Sequence, residues 1–108
     1  REVSDRLAMH LAQADLDLEI DTIMDAGCGT GYSARWLAQR WPRARLALLD
    51  FAPAMLDLAR VQHPGATVIC ADIEGLPFDD GSFTGYWSSL AWQWNDPRRC
   101  LAEAARVL

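Results

Sequence analysis

Apolar positions along the chain follow two alternating rhythms. Short apolar runs at 22 to 26 (TIMDA), 45 to 50 (RLALLD) and 67 to 70 (TVIC) have the length of buried strands. Between them apolar residues return every three or four positions, as on one face of a helix. Ala34, Leu37, Ala38 and Trp41 make one such stripe, which Pro42 stops. Met55, Leu58 and Ala59 make the next, after Pro53 at a first helical position and before "HPG" at 63 to 65. A loop, "GLPFDDGS", leads to a fourth predicted strand through "FTGYWSS" (83 to 89). Asp96 and Pro97 then open a last helix with Leu101, Ala104, Ala105 and Leu108 on one face. Ahead of all these, Ser4 or Asp5 caps a first helix in which Val3, Leu7 and Leu11 share a face, and the acidic stretch "DLDLEID" follows it.

Strands alternating with helices predict an α/β fold: a Rossmann-like, doubly wound, mostly parallel sheet with helices on both faces. Residues 1–108 read as a single domain without repeats or low-complexity tracts. An apolar helix position ends the chain and no strand follows it. The expectation is therefore the N-terminal part of a longer doubly wound domain, with later strands absent. A fourth strand without its neighbour would leave a sheet edge open, which favours self-association of the segment.

Composition narrows the function classes. With 51% hydrophobic residues over 108 positions, the chain can bury a real core. A net charge of −5 without a basic run argues against nucleic acid as a partner. All ten basic residues are arginine, which removes Schiff-base and phosphate-loop lysine chemistry. Cys28, Cys70 and Cys100 are widely spaced, as are His10 and His63, so no metal site and a reduced, cytoplasmic protein are expected. No apolar run nears the ~20 residues that span a bilayer, and "REVSDRLAMH" is unlike a signal peptide, so no membrane partner is expected.

In doubly wound sheets ligands sit outside the carboxyl ends of the strands. The sequence gathers its acids there. "MDAGCGTG" (24 to 31) sets Gly27, Gly29 and Gly31 at a strand-to-helix turn, where glycine lets the backbone approach a ligand. Asp50 lies 19 positions past Gly31, placed to accept from both hydroxyls of a ribose. Asp72 ends the third strand, placed to accept from an exocyclic amine such as that of adenine. The residues describe an adenosine pocket. Dinucleotide turns usually read G-x-G-x-x-G against a pyrophosphate; here the spacing is G-x-G-x-G, with Asp25 two residues before the first glycine. That carboxylate repels phosphate and attracts an ammonium, which favours S-adenosyl-L-methionine over NAD.

"IMDAGCGTGYSARWLA", "LLDFAPAMLDLAR", "ADIEGLPFDDGSF" and "SSLAWQW" together resemble the successive cofactor motifs of class I S-adenosylmethionine-dependent methyltransferases, in order and spacing from about residue 20 to the end. The resemblance implies that Asp25, Ala26 and the Gly27, Cys28 and Gly29 backbone hold the methionine end of the cofactor. It gives Asp50 the ribose, sets Phe51 and Met55 beside the adenine and Asp72 and Ile73 at its edge, and puts Ser88 beside the methionyl group. Thr84 departs from the pattern, which commonly has an aspartate there.

Within the family the last two segments are similar to the malonyl-acyl-carrier-protein O-methyltransferases of biotin synthesis, with trans-aconitate and quinone-ring methyltransferases as alternatives. The implied partner is a small-molecule or acyl-carrier-protein-bound carboxylate. Such a carboxylate is ionised at pH 7, by analogy with side-chain carboxyls near ~4, and needs no general base. No catalytic residue is assigned, and Trp92, Gln93 and Trp94 are candidates to wall the acceptor side. A cofactor-binding module without catalysis is the reading from another class. Cys28 is read as a small turn residue, His10 and His63 as surface residues, and Trp36 and Trp41 as packing. Arg35, Arg40, Arg43 and Arg45 are read as a solvated face, or alternatively as a dock for an acidic carrier.

Overall fold

A computed structural model describes residues 20–89 and 95–108 of the chain. Its elements are β1 (Thr22–Ala26), α1 (Tyr32–Arg40), β2 (Arg45–Asp50), α2 (Pro53–Gln62), β3 (Thr67–Cys70), β4 (Gly85–Trp87) and α3 (Pro97–Val107). The four strands are parallel and lie in the order β3-β2-β1-β4. Strand order thus reverses between β1 and β4. Parallel neighbours need crossover connections: α1 and α2 supply those from β1 to β2 and from β2 to β3 on one face, the long loop from 71 to 84 leads from β3 to β4, and α3 covers the other face.

Alternation along the strands sends successive side chains to opposite faces. Met24, Ala26, Ala47 and Leu49 pack on one face with Cys100 and Val107 of α3 and with Ile73, Leu76 and Phe83 of the long loop. On the other face, Leu48 packs with Ala34 of α1 and with Leu56 and Ala59 of α2. Ile23, Leu37 and Trp87 extend that side toward β4, where Trp36 and Trp41 meet edge to face. Among the described residues no helix is long and apolar enough to cross a membrane.

The three first strands have the predicted bounds, but two helices bury a face rotated from the predicted one, sharing with it only Ala59 in α2 and Ala104 in α3. In α2 the buried residues are Leu56 and Ala59, while Met55 is 44% and Leu58 52% exposed. "PAMLDLARVQ" is apolar on most sides, so a three-residue spacing fits two faces equally well. In α3 the buried set is Cys100, Ala104 and Val107; Leu101, Ala105 and Leu108 are exposed. Both sets have i, i+4, i+7 spacing, and tethers outside the helix decide between them. The Leu76 amide donates to Glu103 Oε1 at 2.7 Å, and Arg106 donates to the carbonyls of Phe78 (2.7 Å) and Leu76 (2.9 Å). Those contacts turn Glu103 and Arg106 toward the long loop and Val107 into the core.

The fourth strand is also shorter than 83 to 89. Its pairing with β1 runs only from Ile23↔Gly85 to Asp25↔Trp87. At its start the Thr84 amide donates to the Thr22 carbonyl at 3.0 Å, and the Thr84 hydroxyl adds to this by accepting the amides of Asp21 (2.8 Å) and Thr22 (3.0 Å). At its end the Ser88 hydroxyl, rather than a backbone group, reaches the Ala26 carbonyl at 2.9 Å. The predicted helix around Val3, Leu7 and Leu11 lies outside the described residues.

Candidate cofactor site

The turn after β1 folds back over β2. The Gly27 and Cys28 amides both donate to the Leu49 carbonyl, at 2.7 and 2.9 Å. Gly27, Gly29 and Gly31 all take left-handed backbone angles, with φ of 80°, 56° and 96°. That run of conformations requires glycine, because a Cβ in this region costs roughly 1–2 kcal/mol. A Cβ on Gly29 would meet nothing within 4 Å, so the turn leaves open space beside it.

Asp50 ties this turn to the next one. Its Oδ2 accepts the Gly29 amide at 2.8 Å and its Oδ1 accepts the Ala52 amide at 3.0 Å. The second bond is an Asx-type turn that leads into α2, with Pro53 in its first turn. A single carboxylate therefore sets the spacing between two strand ends.

Asp25 stands beneath them, 1% exposed, with no hydrogen-bond partner for Oδ2. Burial first, and the negative charge of Asp50 second, push its pKa up to about 7. A buried acid with an unused acceptor is costly unless a partner completes it. Two carboxylates beside a glycine turn oppose a pyrophosphate and suit a positively charged hydrogen-bond donor. That orphaned oxygen is the feature the residues offer to an ammonium.

The remaining candidates fall around the same strand ends. Ser88 is held against Ala26, the last residue of β1. Phe51 is 75% exposed, and it and the exposed Met55 stand at the entry to α2. Asp72 lies two residues past the end of β3 rather than on its last residue, and its Oδ1 accepts the Glu74 amide at 2.9 Å. Its strand end adjoins that of Asp50, since the Ala71 amide donates to the Asp50 carbonyl at 3.1 Å. Ile73 is buried in the apolar core. Trp92, Gln93 and Trp94 lie outside the described residues. Cys28 is buried, and desolvation with Asp25 and Asp50 nearby pushes its thiol up to about 12, which suits a packing residue and not a nucleophile. Among the described residues no group of three His, Cys, Asp or Glu side chains could hold a metal ion.

One contact has no counterpart in the sequence reading. His63 is not a free surface residue: its Nε2 lies 3.0 Å from the Gly31 carbonyl. The two are 32 residues apart, and no local pattern signals the pairing.

Comparison with known proteins bears on what such a site serves. Residues 23–108 match the family model described as a methyltransferase domain. A malonyl-[acyl-carrier protein] O-methyltransferase of Laribacter hongkongensis is 43% identical over 121 aligned residues, covering 100% of this chain and 40% of that protein. One from Dechloromonas aromatica is 44% identical over 103 residues, covering 95% of this chain and 38% of that protein. A solved structure of an S-adenosylmethionine-dependent methyltransferase from Mesorhizobium loti superimposes with a TM-score of 0.72 at 32% identity, over 82% of this chain and 42% of that one. The chain thus spans about 40% of the length of the curated relatives it matches. With the motif spacing, the parallel sheet and the acid-lined glycine turn in agreement, the chain belongs to the methyltransferase-domain family.

Proposed function

We propose that the intact protein is a cytoplasmic S-adenosyl-L-methionine-dependent methyltransferase that methylates the free carboxylate of a malonyl group carried on acyl carrier protein, a step of biotin synthesis. The observation that carries the cofactor assignment is the buried, unpartnered Oδ2 of Asp25 beside the glycine turn. An α-ammonium would complete it, and a pyrophosphate would be repelled. The relatives named above support the acceptor.

In this reading Asp25 and the Ala26–Gly29 backbone hold the methionine end, with Ser88 beside it. Asp50 accepts from the ribose with lone pairs that its two amide bonds leave over. Phe51 and Met55 cover the adenine, whose edge meets Asp72 and Ile73. When bound, the sulfonium supplies an electrophilic methyl group. The acceptor carboxylate is already ionised, so the chain's work is to align it and exclude water, an effect on the order of 7–11 kcal/mol.

Transfer of labelled methyl from S-adenosylmethionine to malonyl-acyl carrier protein by the intact protein tests the proposal. A methyl ester on the malonyl group is expected. Methylation of trans-aconitate or a quinone ring, with none of the malonyl group, would reassign the acceptor.

A further inference from the structure

The contact between His63 and Gly31 joins the far end of α2 to the glycine turn. Gly31 caps α1 in a left-handed conformation, with φ of 96°. Its carbonyl accepts two donors, the Arg35 amide at 3.2 Å within the helix and His63 Nε2 at 3.0 Å from outside. A carbonyl can only accept, so Nε2 carries the proton. The ring also lies flush against the turn, because a Cβ on Gly31 would come within 2.9 Å of His63 Cδ2.

His63 is itself well fixed. Its amide donates to the Ala59 carbonyl at 2.9 Å, closing α2, and its carbonyl accepts the Ala66 amide at 3.0 Å. Pro64 follows and restricts the backbone further. A side chain on so constrained a backbone is a fixed strut rather than a passing contact.

We infer that His63 is a positioning residue for cofactor binding: through the Gly31 carbonyl it holds the peptide planes of residues 27 to 31 in the arrangement that receives the cofactor. The inference rests on the proposed S-adenosylmethionine site. The chain of contacts is short. The Gly31 amide donates to the Cys28 carbonyl at 3.0 Å, and Gly29 between them is bonded to Asp50. Without the strut, the left-handed linkages at 29 and 31 lose one of their few external restraints, and the bound arrangement becomes one of several.

The test compares His63→Phe, His63→Gln and His63→Ala with the wild type in the intact protein. Phenylalanine keeps a ring against Gly31 without a donor, and glutamine places an amide donor at the reach of Nε2. Loss of one neutral hydrogen bond, about 1 kcal/mol, corresponds to about fivefold. His63→Phe and His63→Ala are expected to raise the dissociation constant for S-adenosylhomocysteine and the KM for S-adenosylmethionine by about fivefold. The kcat at saturating cofactor stays at the wild-type level, and His63→Gln restores binding.

Amide exchange read without cofactor separates this inference from the function it rests on. In His63→Phe, faster exchange confined to residues 27 to 31 and reversed in His63→Gln supports the strut. Unchanged exchange there, or a general rise across the sheet, overturns it. Failure of the wild type to bind S-adenosylhomocysteine would remove the cofactor assignment while leaving the exchange result to decide the role of His63.

Discussion

The Asp50 carboxylate and the Gly29 amide are joined at 2.8 Å, across 21 residues of sequence. This bond fixes where the glycine turn sits over β2, because the other oxygen of the same carboxylate holds the Ala52 amide at the entry to α2. An acid whose position suggests a ribose ligand also braces the glycine turn beside it.

Replacing Asp50 by alanine frees both amides at once. Hydrogen bonds to a charged group contribute about 1.5–3 kcal/mol each. Asp50→Ala should lower the stability of the protein by a few kcal/mol in denaturant titration and abolish measurable S-adenosylhomocysteine binding. Asp50→Asn keeps one acceptor and should fold more stably than the alanine variant while still binding weakly. Wild-type affinity in Asp50→Ala would refute the double role.

Asp25 predicts a pH dependence with a definite sign. Its pKa rises from 3.8 to about 7 on folding, so between those values the folded state holds a proton that the unfolded state has lost. Its contribution is fully present below about pH 4 and is lost as pH rises through about 7. Urea unfolding of Asp25→Asn should show a flatter pH profile from 4 to 7 than the wild type. Cofactor binding runs the other way, because an ammonium pairs with the ionised form: affinity should increase as pH rises through about 7, with protons released on binding. Equal pH profiles for the wild type and Asp25→Asn would contradict this.

Two glycines of the turn should respond differently to a methyl group. At Gly29 the added Cβ meets open space, and at Gly31 it runs into the His63 ring 2.9 Å away. Both carry the left-handed penalty of roughly 1–2 kcal/mol. Gly31→Ala should therefore melt at a lower temperature than Gly29→Ala, whereas Gly29→Ala should lose cofactor affinity out of proportion to its stability. Equal melting temperatures would show that the ring moves aside freely.

Arg106 links the end of α3 to the long loop through the carbonyls of Leu76 and Phe78 and through Glu103. Arg106→Ala should lower the melting temperature more than Arg98→Ala, whose side chain lies exposed at the other end of the same helix. The reverse order would remove the loop tether from the account.

Much of this fold is legible in the sequence because the parallel strands are continuous apolar runs with acids or glycines at their ends. TIMDA, RLALLD and TVIC needed no tertiary information. The buried faces of α2 and α3 did, since Leu56 and Met55, or Val107 and Leu108, satisfy the same periodicity and only contacts across the molecule choose between them. At the site, Asp25 and Asp50 were readable from their positions at the carboxyl ends of β1 and β2, whereas Asp72 falls two residues beyond β3. The Asp50 bond to Gly29 and the His63 bond to Gly31 were not, because both span residues distant in sequence and local pattern signals only nearby backbone partners.

The most direct measurement of the central claim is calorimetric titration of the intact protein with S-adenosylhomocysteine and, separately, with NADH. Saturable binding of S-adenosylhomocysteine, lost in Asp25→Ala, with no heat from NADH, is the expected result. Binding of NADH alone would contradict the reading of Asp25 and its glycine turn as a site for a cationic adenosine derivative.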